Sequence, residues 1–286
     1  MMCYPKYIST KIPNNQWMKD IPEEERSINV ELACRQFLDL YSLLSEKALI
    51  YLVPPHPKLQ DQVYATNFGV VLPHLNNVAI LSKFRAEGRS GEEEIAGKLL
   101  KDLGYQVYRC PYYFEGEGEL KWLHDNVYVG GYGIRGEEKA LDWIADNFDA
   151  NIIKVKEPDE YLYHIDCCIF PLSQDIAIVY ENIGEDALKQ IEKEVDVIRI
   201  NKELAYAGIT NSFRIEYTLF NTNNSNAYPK DSDEYKQELL KNEMLKQICE
   251  QYGLYPIFVE LTEFLKSGAL LSCLIMHLTY DKIYLK

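Results

Sequence analysis

The chain is 286 residues long, 47% hydrophobic and 26% charged, a composition typical of a globular protein with a sizeable core. Its 30 Lys and Arg against 44 Asp and Glu leave a formal charge of −14, which argues against nucleic acid and anionic membrane as main partners, since both select clustered cations. The same acidity suits a small cationic molecule steered toward an acidic cleft.

Seven cysteines lie at positions 3, 34, 110, 167, 168, 249 and 273. The odd count, the adjacent Cys167 and Cys168, and an N-terminus without an apolar leader predict reduced thiols and a cytoplasmic protein. No stretch approaches about 18 uncharged apolar residues, so no transmembrane helix is expected. No paired CxxC and no His-rich helix is present, so no metal site is expected.

In chain order, Val30, Ala33, Phe37, Leu40 and Leu44 recur at helical spacing and predict a helix over 27–47. A strand over 48–53 and a strand pair over 63–72 and 77–81 follow. The acidic run Glu92-Glu93-Glu94 suits a helix N-terminus and opens a second helix through Ile95, Leu99 and Leu103. Next come strands over 105–108 and 126–130, with the stretch 114–120 between them. A third helix is predicted over 136–148, with strands over 151–155, 161–171 and 175–180. A fourth is predicted over 185–195, followed by a strand over 197–200 and a strand pair starting at 208–212. A fifth spans 233–252, followed by strands over 256–260, 270–278 and 282–285.

This is one cycle, helix, strand, loop and strand pair, returning five times at roughly 45–60 residues, the period range of repeat architectures. A unit that cannot bury its own apolar face needs neighbours, so the repeat predicts one domain, residues 1–286, of five αβ units around a central axis. Thr66-Asn67 and Thr210-Asn211 recur at comparable places in two cycles. Two separate α/β domains are the alternative, but no Gly-, Ser- or Pro-rich linker divides the chain.

Two segments carry reactive groups. His164-Ile165-Asp166 puts a histidine and an acid at alternate residues, on one side of an extended strand. Cys273 follows the turn residues Ser267-Gly268. A cysteine nucleophile needs a base brought close by the fold rather than by sequence. Taken singly, an apolar-strand cysteine is more often core, and a lone histidine more often structural. The Gly131-Tyr132-Gly133 segment lacks the spacing of a phosphate loop.

Seven segments in order resemble the guanidino-group-modifying enzymes. They are Asn14-Asn15-Gln16-Trp17-Met18, Tyr64-Ala65-Thr66-Asn67-Phe68-Gly69, Phe84 to Glu92 with Arg89, Phe114-Glu115-Gly116-Glu117-Gly118-Glu119, Gly131-Tyr132-Gly133-Ile134-Arg135, His164-Ile165-Asp166, and Ser267-Gly268 to Cys273. The resemblance implies a five-bladed αβ propeller, the pentein fold. It implies Cys273 as nucleophile at the guanidinium carbon, His164 as general acid and base, and Glu115 as the carboxylate orienting that histidine. It further implies Asp166 as a guanidinium-binding acid, Arg89 and Arg135 as binders of the substrate carboxylate, and Asn15 and Asn67 as substrate contacts. Glu119 stands where the family usually has Asp, so a binding carboxylate there is displaced by about a methylene. Asn67 is similar to the arginine dihydrolase group, where deiminases usually carry an acid.

The resemblance implies a hydrolase of guanidino C–N bonds acting on L-arginine or a close derivative without a cofactor, with a homo-oligomer compatible. An amidinotransferase, in which an amine accepts the amidino group, is the rival within the class. A non-enzymatic propeller binding protein is the rival outside it, and that reading predicts a scrambled Cys, His and acid set.

Overall fold

The computed structural model describes residues 1–280. The strand expected over 282–285 lies outside the described residues. The described part is a mixed α/β fold with five small sheets.

Four of the sheets have three strands built to one plan. They are Gly69–Leu72, Val78–Leu81 and Gln106–Arg109; Leu120–His124, Val127–Tyr132 and Asn151–Lys156; Ile169–Pro171, Ile176–Tyr180 and Asp196–Ile200; and Phe213–Ile215, Thr218–Thr222 and Tyr255–Val259. In each, the middle strand runs antiparallel to the strand before it and parallel to the one after it. A parallel pair needs a crossover, and the helices Glu92–Asp102, Glu138–Phe148, Glu185–Glu194 and Asp233–Gln251 supply it. The fifth sheet pairs Met2–Cys3 in parallel with Leu52–Val53 across the helix Val30–Ser45. Met1 and Met276 exchange backbone hydrogen bonds of 2.6 and 2.9 Å beside it, so the C-terminal segment takes the place of the antiparallel strand.

The apolar periods read from the sequence are the packed faces. Ala33, Phe37, Leu40 and Leu44 are buried on the first helix, and Ala187, Leu188 and Ile191 on the fourth. The middle strand Val78–Leu81 is buried at every residue, as expected of a strand covered on both faces. Each fully buried Leu, Ile or Phe stabilises by about 1.5–3 kcal/mol relative to exposure. No helix among the described residues is long and apolar enough to cross a membrane.

Three segments expected to be strand throughout differ from expectation. The expected strand over 63–72 begins only at Gly69, after a one-turn 3-10 helix, Ala65–Phe68. The expected strand over 161–171 begins only at Ile169, after a turn at Ile165–Cys167. The expected strand over 270–278 has a turn at Ser272–Leu274 instead. Gly116–Gly118 forms a fourth such turn before Leu120–His124. A 3-10 turn advances about 120° per residue, so residues two apart do not share a side. His164 and Asp166 therefore diverge, contrary to the alternation expected of a strand. The strand pair expected to start at 208–212 is Phe213–Ile215 with Thr218–Thr222, and the latter is the middle strand of its sheet.

Candidate active site

Three of these 3-10 turns border one cavity. Asn67 lies on Ala65–Phe68, His164 directly precedes Ile165–Cys167, and Cys273 sits on Ser272–Leu274, and all three line it with Asn14, Asn15, Asp61, Tyr64, Arg89, Arg135 and Tyr163. It is small, about 20 Å³, space for about one water molecule. Gly116 makes the close approach possible. Its φ is +66°, and a side chain there would strike the Gly69 backbone at 2.7 Å.

Glu115 is the electrostatic hub. It is completely buried, and its Oε2 accepts Arg135 Nη1 at 2.8 Å and pairs with His164 Nε2 at 2.9 Å. Arg89 Nη1 stands 4.0 Å from the same oxygen. Burial alone would raise this carboxyl, but Arg135, His164 and Arg89 hold it well below the usual carboxylate range. An ionised carboxylate only accepts, so the Nε2 atom of His164 carries the proton toward it and Nδ1 remains for other work. Gly118 leaves that edge of the ring open, because a Cβ there would lie 3.3 Å from Nδ1.

Both expected carboxylate-binding arginines line the cavity, and both are engaged internally. Arg89 grips Glu92 through Nε and Nη2, the latter at 2.8 Å, and donates Nη1 to Asn67 Oδ1 at 3.1 Å. Arg135 donates Nη2 to the Asn14 carbonyl at 2.7 Å and lies 4.7 Å over the Tyr163 ring. Asn67 completes the frame, its Nδ2 donating to the Glu115 carbonyl at 2.8 Å. Asn15 caps the helix Gln16–Asp20 by accepting from Met18 N–H, and donates Nδ2 to the Ser267 carbonyl at 2.9 Å. It thus ties the N-terminal segment to the turn preceding the cysteine, where Gly268 has a φ of +68°.

Cys273 is half-buried. Burial and the neighbouring Asp166 carboxylate push its thiol up to about 11, although Asn211 Nδ2 donates to Sγ at 3.5 Å. Asn211 also accepts the Ser272 N–H at 2.8 Å and so fixes the turn bearing the sulfur. Asp166 is buried but is not among the lining residues. Its Oδ2 accepts from Ser272 Oγ at 3.3 Å, and its Oδ1 is 3.6 Å from Cys167 Sγ. Glu119 is likewise buried away from the cavity. Its Oε2 accepts the Glu115 N–H at 3.4 Å and packs under Gly136.

The sequence reading missed Asp61, Tyr64, Glu92 and Asn211. Asn211 had a signal, the Thr-Asn dipeptide shared with Thr66-Asn67. Asp61 and Glu92 had none, because an acid that faces inward looks like any other acid until its partner is placed. Among the described residues no group of three or more His, Cys, Asp or Glu is placed to hold a metal ion.

No protein-family model matches the chain. The chain is 29% identical over 287 residues to the bifunctional arginine dihydrolase/ornithine cyclodeaminase AgrE of Nostoc sp., a match that covers 98% of this chain and 37% of that protein. It is 26% identical over 180 residues, 63% of its length, to the N(G),N(G)-dimethylarginine dimethylaminohydrolase of Mycobacterium tuberculosis. In structure it is similar to the N-terminal domain of ArgZ, an asparagine-to-serine variant covalently bound to a reaction intermediate, with a TM-score of 0.84, 25% identity and coverage of 97% and 96% of the two chains. The chain thus spans little more than a third of its dihydrolase relative. The mixed α/β fold agrees with these matches, and over nearly its whole length the chain is similar to guanidino-group-modifying enzymes.

Proposed function

We propose that this chain is a cysteine-dependent hydrolase of guanidino C–N bonds, acting on L-arginine or a close derivative. The observation that carries the reading is the convergence of Cys273, the His164–Glu115 pair and two arginines on one buried cavity. Asn67 and the match to AgrE favour the dihydrolase outcome. The proposal includes a five-bladed αβ propeller formed as a single domain over 1–286, a cytoplasmic setting in keeping with seven free thiols, and no cofactor.

In this mechanism the Cys273 thiolate attacks the planar guanidinium carbon and forms a C–S bond. The thiol, held up to about 11, passes its proton to the free Nδ1 of His164 when a cation is bound beside it, since an adjacent positive charge favours thiolate. His164 delivers a proton to the departing nitrogen, which leaves as ammonia. The same ring then takes a proton from water as it adds to the adduct carbon, and the C–S bond breaks. A second round on the ureido product gives ornithine, carbon dioxide and a second ammonia, with two waters consumed in all. Glu115 keeps the ring oriented through both rounds. Asp166 and Glu119, expected to grip the guanidinium and the substrate, act in this reading from behind the lining, Asp166 through the Cys273 turn and Glu119 through the Glu115 backbone. Asn15, Asn67, Arg89 and Arg135 border the bound molecule.

The test is incubation with L-arginine and measurement of ammonia, citrulline and ornithine. Ornithine with two equivalents of ammonia supports the dihydrolase, and citrulline with one a deiminase. A new guanidino product on adding glycine would show an amidinotransferase. No turnover of any guanidino compound would overturn the proposal.

A further inference from the structure

Glu117 is the acid of the Phe114–Glu119 segment to which no role has been given. It is 2% exposed, and its side chain is not part of the cavity lining. Its Oε2 accepts the backbone N–H of His277 at 2.9 Å, and its Oε1 contacts His277 Nδ1, with Lys121 Nζ 3.6 Å away. Burial would raise this carboxyl, but His277 and Lys121 hold it down at about 2, so it is an acceptor at neutral pH and Nδ1 carries the proton. The ring is held flat on its own side by Phe213, stacked at 4.8 Å, and by Tyr280, stacked at 5.0 Å.

The placement of the two partners in the chain gives the pair its meaning. Glu117 is two residues from Glu115, inside the tight turn Gly116–Gly118. His277 is four residues from Cys273, and the intervening Leu274, Ile275 and Met276 are buried, with Met276 bonded to Met1. The contact therefore joins the turn that carries the histidine's carboxylate to the segment that carries the sulfur, 160 residues apart in sequence. No other hydrogen bond or ion pair of the described residues joins these two segments directly.

We infer that the Glu117–His277 pair is a clamp that sets the position of Cys273 relative to His164 and Glu115, and that both are positioning residues for the reaction. This rests on the reading of Cys273, His164 and Glu115 as the reacting set. Covalent catalysis by a sulfur and a separate proton carrier depends on their relative placement to well under an ångström, and a misplacement of about 1 Å costs about a hundredfold.

The experiment uses the full chain and the variants His277→Ala, His277→Asn and Glu117→Gln. It measures kcat and KM on L-arginine, and separately the rate at which iodoacetamide alkylates Cys273, followed by mass spectrometry. Ala removes the ring donor, whereas Asn places Nδ2 where Nδ1 donates. His277→Ala and Glu117→Gln are expected to lower kcat about tenfold or more with KM within about threefold, and His277→Asn to recover most of the loss. The double variant Glu117→Gln with His277→Ala should lose no more than either single change, as coupled residues do. Wild-type kcat in His277→Ala, or His277→Asn as impaired as His277→Ala, would overturn the clamp. Should the wild type turn over no guanidino compound, the reading of function fails instead. The alkylation arm then decides the clamp alone, since an unchanged Cys273 rate in both His277→Ala and Glu117→Gln would refute it.

Discussion

Cys273 carries its proton at neutral pH in the unliganded protein, because burial and the Asp166 charge push the thiol up to about 11. Iodoacetamide should therefore alkylate it slowly at about pH 7, with the rate rising close to tenfold per pH unit up to about pH 10. A plateau reached near pH 8 would show a thiol held below its ordinary value of about 8.5 and remove the need for a bound cation. Cys273→Ser should abolish turnover while leaving far-ultraviolet circular dichroism unchanged, and retained turnover would take the sulfur out of the mechanism. Glu115→Gln tests the hub. It leaves Arg135 and His164 facing a neutral amide in a buried site, so turnover should fall about 10²–10⁴-fold. Stability should fall by about 3–5 kcal/mol, the usual loss when a buried ion pair loses one partner. Thermal unfolding indistinguishable from wild type would mean that Arg89 and Arg135 are balanced by other acids.

At the scale of the element, the short 3-10 turns do the positioning, and glycines let them approach one another. A Cβ at Gly118 would fall 2.6 Å from Asn67 Nδ2 and 3.3 Å from His164 Nδ1. Gly118→Ala should displace both side chains and cut kcat by about tenfold or more while the sheets remain intact. Full activity in that variant would mean that the turns have more slack than their spacing shows. Asn15 does two jobs at the start of its helix, accepting from Met18 N–H and donating to the Ser267 carbonyl. Asn15→Ala should cost about 0.5–2 kcal/mol as a lost cap, and should raise KM because the Asn14–Asp20 segment then loses its tie to the turn before Cys273. An unchanged KM on L-arginine would separate the cap from the site.

At the scale of the whole molecule, the site buries more acids than cations, and this sets how stability depends on pH. Burial, then the nearby Glu157 and Glu115, push Glu119 well above the usual carboxylate range, and burial pushes Glu157 up to about 7. Each also leaves one buried oxygen without a hydrogen-bond partner, as expected of an acid whose charge is not satisfied. A carboxyl whose folded pKa lies above its unfolded value stabilises fully below the unfolded value, about 4.5, and loses that stabilisation as pH rises through the folded one. For Glu157 the window runs from about 4.5 to about 7 and is worth about 3 kcal/mol. Glu117 works in the opposite direction, its contribution present above about 4.5 and lost as pH falls through about 2. The unfolding temperature should therefore drop between about pH 5 and about pH 8, and Glu157→Gln should flatten that drop. An equal slope in the variant would place the proton elsewhere.

Composition, apolar period and turn residues were enough to read a mixed α/β fold, its crossover helices and most of their partner strands, because these follow from local pattern and from the need to bury one face. Motif order was enough to name Cys273, His164, Glu115, Asn67, Arg89, Arg135 and Asn15 before any of them had a neighbour, and all seven line or adjoin the cavity. Tertiary structure alone decided where side chains point. His164 and Asp166 looked like alternate residues of a strand, but a single 3-10 turn sends Asp166 to Ser272 and leaves the histidine to Glu115. Glu115, Glu117 and Glu119 alternate with glycine in one short segment, yet they face the histidine, the C-terminal segment and the underside of Gly136. An acid's role is fixed by the charge that it meets across the fold, and that charge comes from a residue tens to hundreds of positions away, beyond the reach of local pattern.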